Sequence, residues 1–164
     1  MNFLQITHCD QLNGNGNRVV LWVAGCSHHC KGCQNAYSQD PKLGVKFDDA
    51  AKEEIFKDLK EEWCAGITFS GGDPLFIGNR KQIIELAKEI KEKFPSKSIW
   101  CYTGYSWSEI IADQSMSEIL KYIDVLCDGE YVEELRDIDL CWVGSKNQNV
   151  IDVKKRIEQV SSLR

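Results

Sequence analysis

Arg18-Val19-Val20-Leu21-Trp22-Val23-Ala24-Gly25-Cys26-Ser27-His28-His29-Cys30-Lys31-Gly32-Cys33 is the stretch on which the fold turns. After Arg18 the run is apolar on both faces, the pattern of a strand buried on both sides as in a parallel sheet. The small pair Ala24-Gly25 then leads into three cysteines at C-x3-C-x2-C spacing. The thiols therefore lie on a loop leaving the C-terminal end of a strand, where a rigid scaffold positions functional groups. Thiolates are soft ligands suited to iron–sulfur clusters, zinc or copper(I). A [4Fe-4S] cluster usually takes four cysteines, so a local set of three leaves one iron for a non-protein ligand. On these residues alone a zinc site is the alternative, with His28 or His29 completing Cys26, Cys30 and Cys33.

Composition narrows the partners. The chain has 164 residues and is 43% hydrophobic, enough for one domain with a real core, expected over residues 1–164. The net charge of −5 argues against nucleic acid as a main partner. No apolar run is long enough to span a bilayer, and Met1-Asn2-Phe3-Leu4-Gln5 lacks the features of a signal peptide. The eight cysteines then read as thiols of a reducing cytoplasm and not as a disulfide framework. Cys64, Cys101, Cys127 and Cys141 sit in or beside apolar stretches and are expected as small buried hydrophobes. Cys9, between His8 and Asp10, has the option of approaching the site.

Outward from the thiol loop the chain alternates strands and helices. Phe3–Ile6 reads as a short strand, joined to Arg18–Val23 by the turn-rich Gln11–Asn17. A helix is expected from Asp48 to about Trp63, with Ala51, Ile55, Phe56 and Leu59 inward, and another from about Asn79 to Phe94, ended by Pro95. Gly66–Ser70, Ser98–Tyr102 and Asp124–Gly129 read as strands, as does Leu140–Gly144. Trp107 to about Leu120 holds one or two short helices, and a short strand then a terminal helix follow Ile151. The alternation gives an α/β fold with mostly parallel strands. An eight-unit barrel typically takes about 250 residues, so a partial, open barrel or a smaller doubly wound sheet remains. Either puts the cysteine loop, Gly71-Gly72-Asp73-Pro74, Thr103-Gly104-Tyr105 and Asp128-Gly129 along one edge.

That shared edge carries a resemblance. C-x3-C-x2-C followed by a Gly-Gly-acid-Pro turn resembles the radical S-adenosylmethionine (SAM) superfamily. Asn13-Gly14-Asn15-Gly16-Asn17-Arg18 is similar to the glycine-rich signature of its glycyl-radical-enzyme activating family. Trp100–Tyr105, Asp124–Gly129 and Gly144-Ser145-Lys146-Asn147-Gln148 continue in order. Together they resemble the branch whose protein substrate is the anaerobic ribonucleoside-triphosphate reductase. Asn15, Gly32 and Gln34 depart from residues common in the wider pattern.

The resemblance implies a partial radical SAM-type β/α barrel with a [4Fe-4S] cluster on Cys26, Cys30 and Cys33. SAM would bind the open iron, with Gly71, Gly72, Asp73, Pro74, Thr103, Gly104 and Tyr105 around it and Asp73 facing its amino group. It implies reductive cleavage of SAM and a glycyl radical on the large subunit of the reductase, with an electron donor such as flavodoxin. His28 and His29 are expected as loop residues near the cluster, facing solvent or the partner. Arg18 and Lys146 are candidates for contact with a carboxylate or the partner, whose footprint is sought around Trp107 and the rim of the cluster loop. A pyruvate formate-lyase activator type, a structural zinc protein and an electron-transfer protein are the rival readings.

Overall fold

The apolar run beginning at Arg18 forms strand β2 (Arg18–Val23), at the heart of a seven-stranded open sheet. The computed structural model describes residues 1–162. Strands β1 (Asn2–Asp10), β3 (Val45–Lys46), β4 (Gly66–Gly71), β5 (Ser98–Tyr102), β6 (Val125–Asp128) and β7 (Asn149–Asp152) complete it in the order β3-β1-β2-β4-β5-β6-β7. The central pairs β2–β4, β4–β5 and β5–β6 are parallel, whereas β1, β3 and β7 join antiparallel at the flanks. The fold is thus α/β, as expected, with its parallel character concentrated in the centre.

Period-two side-chain alternation splits the parallel strands into two faces. Val19, Leu21, Val23, Ile67, Phe69, Ile99 and Cys101 turn to one side and enter the hydrophobic core. Helix α1 (Asp49–Lys60) adds Ile55, Phe56 and Leu59 there, and α2 (Arg80–Lys93) adds Ile83, Leu86, Ala87 and Ile90. Asp48 caps α1, its carboxylate accepting from the Ala51 N–H. Helices α3 (Trp107–Ala112) and α4 (Gln114–Ser117) are separated at Asp113, which caps the second, and α5 (Val153–Ser161) follows β7. The other face presents Trp22, Ser70 and Tyr102, which line a cavity of about 1030 Å³. Among the described residues no helix is long and apolar enough to cross a membrane.

Several expectations are corrected. Leu140–Gly144 is not a strand but an irregular loop in which Trp142 takes a positive φ of 66° and packs edge-on against Trp100. With no sheet neighbour to cover it, Cys141 is exposed, while Cys64, Cys101 and Cys127 are buried. Trp107 is only 9% exposed, so it offers no aromatic surface to a partner. Arg18 is wholly buried and out of a partner's reach. Lys146, by contrast, does meet a carboxylate, that of Asp137 across 3.4 Å.

Candidate functional site

The parallel strands end together, so the loops after β2, β4, β5 and β6 meet. The Gly25 N–H donates to the Ser38 carbonyl and the Cys26 N–H to the Gln39 carbonyl, which folds the thiol loop back on a short 3₁₀ turn (Ala36–Gln39). The Gly72 N–H donates to the Val23 carbonyl and the Asp73 N–H to the Gly25 carbonyl, so the loop after β4 is stitched to the one carrying the thiols. A methyl group on Gly72 would lie 2.5 Å from the Gly25 carbonyl oxygen, so only glycine permits this approach. After β5, the Thr103 N–H bonds the Cys127 carbonyl; after β6, the Gly129 N–H bonds the Tyr105 carbonyl.

Asp73 is the hub. Its Oδ1 accepts from the Leu75 N–H at 2.7 Å and from the Thr103 hydroxyl at 2.9 Å. Its Oδ2 accepts from the Gly104 N–H at 3.0 Å and lies 2.9 Å from Nε2 of His28. The carboxylate side chain is 1% exposed. His28 spans the site: its Nδ1 lies 2.8 Å from Glu130 Oε1, and the ring meets Tyr105 edge-on at 4.5 Å between centroids. The pairing with Asp73 pushes His28 up to about 9, against the lowering effect of its burial. Nε2 nevertheless has no aligned hydrogen bond, since its N–H points off the line to Oδ2. His28 is therefore 9% exposed and clamped inside the site, contrary to the expectation that it faces solvent or a partner. His29 is exposed and bonds Gln39 through Nδ1.

The three thiols are half-buried on this loop. Burial pushes Cys26 up to about 11 and also raises Cys30, so without a metal both are protonated at neutral pH and binding would displace protons. Among the described residues no three His, Cys, Asp or Glu side chains converge on a point suited to a single metal ion. A [4Fe-4S] cluster usually takes four thiolates, each on a different iron, so the three thiols on this anchored loop would hold three irons and leave the fourth open. The segment after β6 closes over them, with Glu134 3.4 Å from Lys31 and Tyr131 and Glu133 packed against Gly32.

Every expected site residue thus lies at this sheet edge, but not all point the same way. Asp73, Pro74 and Thr103 are buried, whereas Gly71, Gly72, Gly104 and Tyr105 are half-buried. The large cavity lies beside them, reached past Lys31, Gly32 and Gln34 and walled by Tyr131 and Trp142. Sequence reading missed Glu130 and the clamping role of His28, because neither belongs to a motif of its own.

A family model described as a 4Fe-4S single cluster domain matches residues 12–151. The chain is 43% identical over 150 residues to the anaerobic ribonucleoside-triphosphate reductase-activating protein of Haemophilus influenzae, a match covering 90% of this chain and 96% of that protein. Proteins of the same name from Enterobacteria phage T4 and Escherichia coli K12 are 41% and 40% identical, over 92% of this chain and 93% and 97% of theirs.

Proposed function

The chain belongs to the family of anaerobic ribonucleoside-triphosphate reductase-activating proteins, and from that membership we propose that it is a radical SAM activating enzyme. The chain forms one domain of the partial-barrel type, and Cys26, Cys30 and Cys33 would each bind one iron of a [4Fe-4S] cluster. Bound there and reduced by a donor such as flavodoxin, the cluster would supply one electron for the reductive cleavage of SAM that ends in a glycyl radical on the reductase.

The chain's own residues bind, orient and shield. Gly71, Gly72, Asp73 and Pro74 would hold the amino group of SAM, and Thr103, Gly104 and Tyr105 would close the neighbouring side. The cavity over Trp22, Ser70 and Tyr102 gives the reacting groups a walled space beside the thiol loop. The observation that supports this most is the meeting of the thiol loop, the Gly-Gly-Asp-Pro turn and the Thr-Gly-Tyr turn around one buried carboxylate.

The test is anaerobic reconstitution with iron and sulfide, reduction, and electron paramagnetic resonance with and without SAM. A reduced [4Fe-4S] signal that changes shape with SAM, followed by a glycyl radical when the reductase is added, is the expected result. A cluster signal indifferent to SAM points to electron transfer instead, and stoichiometric zinc with no cluster overturns the enzymatic reading.

A further inference from the structure

The carboxylate assigned to the amino group of SAM is already saturated. Asp73 takes the Leu75 N–H, the Thr103 hydroxyl and the Gly104 N–H, and its remaining approach is filled by Nε2 of His28 at 2.9 Å. Three of these partners are fixed by backbone or by a short side chain at a strand end. His28 differs: it rides on the thiol loop, its contact with Asp73 is misaligned, and Nε2 is a buried polar atom left without a proper partner. A methyl group on Gly104 would lie 2.5 Å from the His28 ring, so the ring fills the space directly above that glycine.

We propose that His28 holds the place of a ligand's ammonium on Asp73 in the free protein and gives it up when SAM binds, so that SAM binding moves the loop bearing Cys26 and Cys30. The inference rests on the SAM reading above. Glu130, on the exposed side, is the outer tether: it grips Nδ1 at 2.8 Å and holds the ring inward. A protein whose competent state is only partly populated binds its ligand more weakly by that fraction, so loosening the ring raises apparent affinity.

Equilibrium dialysis of SAM against the cluster-loaded, anaerobic protein tests this, with iron and sulfide content measured on every sample. His28→Ala is expected to bind SAM about five- to tenfold more tightly than wild type, and Glu130→Gln about two- to threefold more tightly. Unchanged or weaker binding by Glu130→Gln at full cluster content overturns the proposal, as does the same result for His28→Ala. If His28→Ala does not hold its cluster, Glu130→Gln decides alone. Wild-type protein that binds no SAM overturns the SAM reading and this inference together, whereas normal wild-type binding with unmoved variants overturns this inference only.

Discussion

Two charged side chains are buried at opposite ends of the same sheet, and they are satisfied in different ways. Arg18 opens β2 at the end of the strands remote from the thiols. Its guanidinium donates to the hydroxyls of Thr68 and Ser98 and to the carbonyls of Asn15, Ile67 and Ser98, and it lies 5.4 Å from the centre of the Trp100 ring. Burial pulls it down to about 10, which leaves it charged at neutral pH. All these acceptors belong to the sheet or the adjoining loop, so Arg18 ties three strands into one unit. Asp73, beyond the end of β4, has an equally full set of partners, but one of them, His28 on the thiol loop, is badly aligned. A buried charge with only fixed partners is a structural pin, while one with a replaceable partner is a place where a ligand can enter.

Three measurements would break or sharpen that contrast. The largest effect belongs to the functional end: Cys26→Ala, Cys30→Ala and Cys33→Ala should each abolish SAM cleavage while shifting the urea midpoint of the metal-free protein little. Full activity in any one of them removes that thiol from the ligand set. Next comes the pinned end. Arg18→Leu strands several buried carbonyls and hydroxyls and should cost about 3 kcal/mol or more in urea unfolding. Its SAM affinity, measured where the variant is folded, should stay within about twofold of wild type. A large loss of affinity with little loss of stability would make the two ends alike.

The smallest effect gives the exposed baseline. On the rim of β1, His8 contacts Asp58 at 2.5 Å and Glu54 at 3.1 Å. The bond to Asp58 is the main cause raising its pKa above the ordinary value, with desolvation opposing. Its folded value exceeds its unfolded one, so the added stability is complete below about pH 6.5 and fades as pH rises through the folded value. Urea midpoints of wild type should therefore fall slightly relative to His8→Gln between about pH 6 and pH 8. Parallel pH profiles would show that the exposed cluster contributes nothing.

The parts of the molecule legible in sequence are those set by local pattern. β2 announces itself because a strand covered on both faces reads as a continuous apolar run, and β4, β5 and β6 through short segments centred on Ile67 and Phe69, Ile99 to Cys101, and Val125 to Cys127. The thiol loop and the Gly-Gly-Asp-Pro turn are legible because spacing carries their chemistry. β1 runs from Asn2 to Asp10, well past Phe3–Ile6, because Gln5, Thr7 and His8 are polar and its pairing with β2 supplies what the pattern lacks. Leu140–Gly144 misleads in the opposite direction: its apolar residues turn toward the cavity and not into a ladder. The clamp on Asp73 was invisible for a different reason. It needs three loops to meet, and no window of sequence contains His28, Asp73 and Glu130 together.

That separation also has a consequence in time. Glu130 follows His28 by 102 residues. At about 5–20 residues per second of synthesis, the loop bearing the thiols leaves the ribosome roughly 5–20 s before the segment that will close over it. The β1–β2 hairpin can form early, but β4, β5 and β6 must each arrive before the sheet edge exists. For that interval the thiol loop stands without the segment that later packs against it.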